Sequence, residues 1–168
     1  MTDSVRRIDR VLAPDYVAGL DDRSIDDLRA KKAEAGEIET EVSYVRRLAQ
    51  GRIDILTAER KRRDEGGSLE DLINELPRIL AAEEPRAPAA QARVAELLAP
   101  SPDITWSRGS EHLIDDSTLA RLPDLSDEEL ADAVEGLVAL EAEMSTRRKA
   151  LHSVLDALER AIAANLRQ

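Results

Sequence analysis

Two long stretches of this chain repeat one another at a constant offset of 102 positions, the distance from Ser24 to Ser126. Ser24 falls on Ser126, Asp26 on Glu128, Asp27 on Glu129 and Leu28 on Leu130. Upstream, Ala18, Leu20 and Asp22 fall on Ala120, Leu122 and Asp124. Downstream, Glu39, Glu41, Ser43 and Arg46 fall on Glu141, Glu143, Ser145 and Arg148, while Gln50 meets His152 and Asp54 meets Asp156. Apolar positions keep the same register: Ile38 with Leu140, Val42 with Met144, Ile53 with Leu155 and Leu56 with Leu158. One register aligns a helix start, an apolar seam and a polar row. That is the signature of an internal repeat, in which each copy buries its apolar face on the other.

Each copy reads as one long helix. Ser24 with Asp27, and Ser126 with Glu129, have the spacing of a capping box, and the acidic residues beside them suit the positive end of a helix dipole. The first helix is expected over about 24–64. Arg60, Lys61, Arg62 and Arg63 lie in its last turns, and Gly66-Gly67 stops it. Such a helix is about 60 Å long and needs a partner helix to bury its seam. The second is expected over about 126–166. Residues 65–122 form the connection, with short helices at 68–84, kinked or ended at Pro77, and at 88–99, opened by Pro88. Residues 100–122 are mixed, and residues 1–22 are an irregular or helical lead around Pro14. The expectation is one all-α domain. It is a coiled-coil hairpin of two long helices with short helices in the connection. Aromatic residues make up only 2% of the chain and Phe is absent, which argues against a sheet core. A connection of this length permits either helix orientation. Antiparallel is preferred, because it relates the two copies by a pseudo-two-fold axis.

The polar row is the unusual part. Glu39, Ser43, Arg46, Gln50 and Asp54 recur at helical spacing and fall within an arc of roughly 80° over about 22 Å. The apolar stripe Ile38, Val42, Val45, Ala49, Ile53 and Leu56 lies roughly 90° to one side. On the second helix Leu137, Leu140, Met144, Leu151, Leu155, Leu158 and Ile162 lie on the same side of Glu141, Ser145, Arg148, His152 and Asp156. If the stripes pack, both rows lie along the rim of one seam. A carboxylate accepts the paired N–H donors of a guanine edge, and an arginine fork fits guanine O6/N7 or a phosphate. Ser and Gln add neutral hydrogen bonds. Carboxylates alone would repel a phosphodiester, and arginines alone would take any anion. Both together, twice over, favour a two-fold ligand that carries guanines and phosphates. A solvated helix face with i,i+4 pairs such as Glu39 with Ser43 is the plainer reading of a single row.

The spacing Glu-x3-Ser-x2-Arg-x3-Gln-x3-Asp resembles the signature of the RsiG family, actinobacterial anti-sigma factors that bind cyclic di-GMP. The lead VLAPDYVAGL and the stretch SYVRRLAQGRIDIL are similar to that family as well. The resemblance implies an antiparallel hairpin whose two rows hold a dimer of cyclic di-GMP, with all ten row residues as ligand contacts. It implies that the ligand is sandwiched against a WhiG-like sigma factor of the flagellar class, in a sporulation setting. The loaded complex would hold that sigma factor off RNA polymerase. His152 stands at the Gln position and departs from the pattern. A neutral imidazole donates once and accepts once, so it is a substitute of different chemistry.

Other partners are argued against by composition. A net charge of −11 leaves no general basic footprint for DNA or RNA. There is no Cys and there are two His, His112 and His152, so no metal spacing is visible. No run approaches a membrane span, and the first residues lack a signal-peptide core, so a cytoplasmic location is expected. No nucleophile–base set or Gly-rich phosphate loop points to an enzyme. Arg47 and Lys149 read as surface charges, the Arg60–Arg63 run as a helix C-terminus, and Trp106 as a small-core anchor. The alternative to a ligand-gated regulator is a constitutive coiled-coil adaptor without a small ligand.

Overall fold

The computed structural model describes residues 6–81 and 117–167. The chain is all-α. The elements are α1 (Arg7–Leu12), α2 (Ile25–Glu65), α3 (Leu69–Ala81), α4 (Ser117–Ala120) and α5 (Asp127–Asn165), with 3-10 turns at Pro14–Val17, Leu20–Asp22 and Leu122–Asp124. Two long helices, α2 and α5, pack as a hairpin. The expected helix at 88–99, Trp106 and His112 lie outside the described residues.

The repeat is carried into the backbone. The turns Leu20–Asp22 and Leu122–Asp124 occupy equivalent positions, and α2 and α5 begin at equivalent residues, Ile25 and Asp127. Ser24 Oγ accepts the Asp27 amide at 3.1 Å. At the second start the box is closed both ways. Ser126 Oγ accepts the Glu129 amide at 3.1 Å, and Glu129 Oε2 accepts the Ser126 amide at 2.8 Å. Those bonds to Ser126 hold the Glu129 carboxyl below the usual carboxylate range. α2 ends in a Schellman motif: Gly67 N–H donates to Arg62 O at 2.9 Å and Gly66 N–H to Arg63 O at 3.2 Å. Gly66 sits at φ +70°, a left-handed conformation that glycine adopts without penalty.

The chain's contacts divide into two compact units, Met1–Ser43 with Met144–Gln168, and Tyr44–Glu143. In the first unit the beginning of α2 runs antiparallel to the end of α5. Lys32 pairs with Glu159 at 2.8 Å, and Asn165 Nδ2 donates to Arg23 O at 3.4 Å. The core here is Leu28, Ala35, Ile38 and Val42 of α2 with Met144, Leu151 and Leu158 of α5. The lead packs on it through Val11, which is fully buried, and through Tyr16. The Tyr16 hydroxyl lies 2.9 Å from both Lys31 O and Glu34 Oε2, while Lys31 Nζ donates back to Tyr16 O and sits 3.8 Å over its ring. Burial and the Glu34 carboxylate push the Tyr16 hydroxyl's pKa up, and Arg10 closes the group by pairing with Glu34.

In the second unit the end of α2 runs antiparallel to the beginning of α5, with Val45, Ala49, Leu56, Leu130, Leu137 and Leu140 buried. Ile53 and Leu155, which match in the repeat, are both half-buried, as is Ile162. The rest of each expected stripe is core. Helix α3 continues through Pro77 to Ala81, so of the two expected outcomes the helix is not ended there. Proline at that position leaves the Ile73 carbonyl without its helical partner. Both Ile73 and Pro77 are exposed, so water can satisfy it.

The basic end of α2 does more than complement a dipole. Glu59 is buried at 1% exposure and takes bonds from Arg62 Nε at 2.7 Å, Arg62 Nη2 at 2.8 Å and Arg63 Nε at 2.6 Å. Those arginines hold its carboxyl below the ordinary range against the opposing effect of burial. Arg63 then reaches the start of α5, donating to Leu125 O at 2.7 Å, Leu122 O at 3.0 Å and Asp127 Oδ1 at 2.9 Å.

Candidate functional site

Helical spacing alone marks the row residues, and the fold puts most of them into two hydrogen-bonded sets. In the first unit Glu39 is the acceptor. Its Oε1 receives Ser43 Oγ at 2.7 Å from one turn along α2, and Arg148 Nε at 3.0 Å from α5. His152 Nε2 lies 3.1 Å from the same oxygen, where a carboxylate requires the ring proton on that nitrogen. Arg148 Nε also faces Ser43 Oγ at 2.9 Å. Burial alone would raise the Glu39 pKa. The bonds from Ser43, His152 and Arg148 outweigh it and hold the carboxyl below its usual range.

In the second unit Glu141 is the acceptor. Its Oε1 receives Gln50 Nε2 at 3.1 Å and Arg46 Nη1 at 3.4 Å, both from α2. At the repeat register Glu141 is Glu39, Arg46 is Arg148 and Gln50 is His152. Each unit therefore contains a carboxylate from one helix held by an arginine and a smaller polar group from the other. Arg46 Nε is buried without a hydrogen-bond partner. A buried guanidinium donor left unmatched is costly and marks a position where an acceptor would be favourable.

Asp54 and Asp156 are exposed one turn beyond these sets, and Ser145 is half-buried. Ser43 belongs to its set through both Glu39 and Arg148. Arg47 and Lys149 are exposed, as surface charges should be. Spacing gives no warning of Arg52, which is buried at 7% exposure beside the seam, nor of Arg63 as a bridge to α5. The basic run is visible in the sequence, but its carbonyl targets come from a distant part of the chain.

Among the described residues no group of His, Cys, Asp or Glu side chains could hold a metal ion. None of the described helices is long and apolar enough to cross a membrane.

These features define a helical-hairpin protein in which two packed helices repeat one row of carboxylate, arginine and neutral polar groups. Residues 14–80, less than half of the chain, match the model of the RsiG-like family. This bears out the family resemblance read from the row. The matched span takes in the lead from Pro14 on, with Tyr16, and the whole first row from Glu39 to Asp54, and it ends before the second row begins. A search of curated proteins gives no match. The family match suggests an anti-sigma factor role.

Proposed function

We propose that this chain is an anti-sigma factor gated by cyclic di-GMP. The two rows, Glu39, Ser43, Arg46, Gln50 and Asp54 with Glu141, Ser145, Arg148, His152 and Asp156, are its ligand contacts. The loaded protein sequesters a WhiG-like, flagellar-class sigma factor in the cytoplasm. One observation carries this reading: the carboxylate–arginine–polar set occurs twice, once in each unit, on residues that match in the repeat. A chance decoration of a helix face has no reason to recur in matching form. The chemistry supports it as well. Carboxylates accept from guanine N1–H and N2–H₂, and the arginines supply forks for guanine O6/N7 or phosphate. A ligand that is itself two-fold and carries both groups, bound as a dimer, uses every part of the row.

Within the chain the carboxylates of Glu39 and Glu141 bond to Arg148 and Arg46. Ligand binding then exchanges those bonds for bonds to guanine and phosphate, with Arg46 Nε gaining an acceptor. The same self-pairing favours a second reading, a constitutive helical adaptor in which the rows only fasten α2 to α5.

A pull-down of the flagellar-class sigma factor with and without cyclic di-GMP separates the two. The regulator retains the sigma factor only when the dinucleotide is present. The adaptor shows no dependence on it, and calorimetry finds no heat of binding for the dinucleotide with or without the sigma factor.

A further inference from the structure

Beside the row in the second unit lies an apolar position that the repeat does not share. Val138 precedes Glu141 by three residues, roughly 60° away around α5 and on the side of the row. It is 49% exposed. Half-buried Val134 precedes it by one further turn. At the repeat register α2 has Gly36 in place of Val138 and Lys32 in place of Val134. Lys32 is engaged in an ion pair with Glu159, and no heavy atom lies within 4 Å of a Cβ placed at Gly36. The two copies have kept the row and diverged next to it.

A single exposed valine is ordinary on a protein surface. The setting of this one is not neutral. No Lys or Arg occurs from Leu122 to Thr146, while eight acidic residues do: Asp124, Asp127, Glu128, Glu129, Asp132, Glu135, Glu141 and Glu143. Asp132 and Glu135 are exposed on the turns that precede Val138. An aliphatic contact framed by carboxylates complements a protein surface that offers an aliphatic side chain rimmed by lysines or arginines. It does not complement nucleic acid or an anionic membrane.

We propose that the Val134–Val138 end of the α5 row is a docking surface for the protein partner. The partner covers Val138 with an aliphatic side chain and sets basic residues against exposed Glu135, one turn before it and about 60° around α5. This rests on the reading of the chain as a sigma-factor-binding regulator and adds where the partner sits. It also supplies a direction. A row that repeats itself offers an asymmetric partner two equivalent ways to bind, and an apolar contact present in one copy and missing from the other leaves one.

The chain has no cysteine, so single thiols report each position cleanly. Val138→Cys and Gly36→Cys are made in the full chain. Their maleimide labelling rates are measured free and in complex with the flagellar-class sigma factor and cyclic di-GMP. The thiol at 138 is expected to be protected more than about tenfold in the complex, and the thiol at 36 less than about threefold. Val138→Glu is expected to weaken capture by about tenfold or more with helix content unchanged, and Gly36→Glu to leave capture within about twofold. Capture with position 138 as reactive as in the free chain, or with position 36 equally protected, overturns this inference and leaves the functional reading standing. Failure of the unmodified chain to capture the sigma factor overturns both.

Discussion

The two units carry the same set of groups in matching positions, yet they hold it differently. In the first unit Glu39 is held by Arg148 at 3.0 Å and His152 at 3.1 Å, and Arg148 is 41% exposed. In the second unit Glu141 is held by Gln50 at 3.1 Å and Arg46 at 3.4 Å, and Arg46 is 24% exposed with its Nε buried and unmatched. The helix ends differ in the same sense. Asn165 makes one 3.4 Å bond to Arg23 O, while Arg63, its counterpart, binds the matching Leu125 O at 2.7 Å together with Leu122 O and Asp127. Both units pair a carboxylate of one helix with an arginine of the other, and only the second adds a strong clamp at the helix end.

If the arginine whose buried Nε has no acceptor makes the stronger ligand contact, the two arginines are unequal. Arg46→Ala is expected to weaken cyclic di-GMP binding by about 30- to 100-fold, and Arg148→Ala by about tenfold, since charge-assisted bonds are worth about 1.5–3 kcal/mol and more where water is excluded. Calorimetry on both variants, with circular dichroism to show unchanged helix content, checks this. Equal losses would remove the distinction between the units. No loss in either would remove the ligand site.

The clamp predicts an asymmetry in stability. Arg63→Ala is expected to cost about 2 kcal/mol in urea unfolding, because it strips donors from two carbonyls and weakens the pairing of buried Glu59. Asn165→Ala, at the matching position, is expected to cost less than about 0.5 kcal/mol. Costs in the reverse order would show that the short bonds of Arg63 contribute little.

Acid should loosen both units through different residues. Glu39 in the first and Glu59 in the second have folded-state pKa values below the ordinary glutamate value of 4.5. A carboxyl with a depressed folded pKa contributes stability that is fully present above its unfolded pKa and is lost as pH falls through the folded value. Urea midpoints should therefore be flat above about pH 5 and decline below 4.5. Glu59→Gln and Glu39→Gln should each start lower and decline less steeply. A variant with the slope of the unmodified chain would show that its carboxylate does not gain from its partners.

Much of this architecture is legible in the amino-acid sequence. Ser24, Ser126 and Gly66 mark helix ends because capping and left-handed turns depend on a few adjacent residues. Ile38, Val42, Leu140 and Met144 mark the seam because burial imposes a period. The pairing of Glu39 with Arg148 is not legible, because the connection permits either helix orientation and the antiparallel one is only preferred. A row drawn on one helix does not show which residues across the seam will face it. Arg63 is hidden for the same reason, since its acceptors are backbone carbonyls at 122 and 125 that no side-chain pattern reports. Pro77 leaves two outcomes open in sequence, a kink or an end, and the helix continues past it with the freed carbonyl beside exposed residues.

The smallest difference between the copies is also the one most visible in sequence, His152 against Gln50. Both place a side-chain nitrogen 3.1 Å from the carboxylate oxygen of the opposite helix. Both can donate there, so the loss of one group for the other is a change of shape and of second function rather than of the bond itself. The amide keeps a carbonyl acceptor next to its donor, whereas the imidazole presents its other nitrogen on the far side of a rigid ring. If that bond is all the position supplies, His152→Gln should change cyclic di-GMP affinity by less than about fivefold, within the roughly 1 kcal/mol worth of a neutral hydrogen bond. Gln50→His should behave likewise, and the double exchange should restore the unmodified affinity. A larger effect of His152→Gln alone would mean that the first unit holds its half of the ligand by the ring. The two rows would then no longer be halves of one symmetric site.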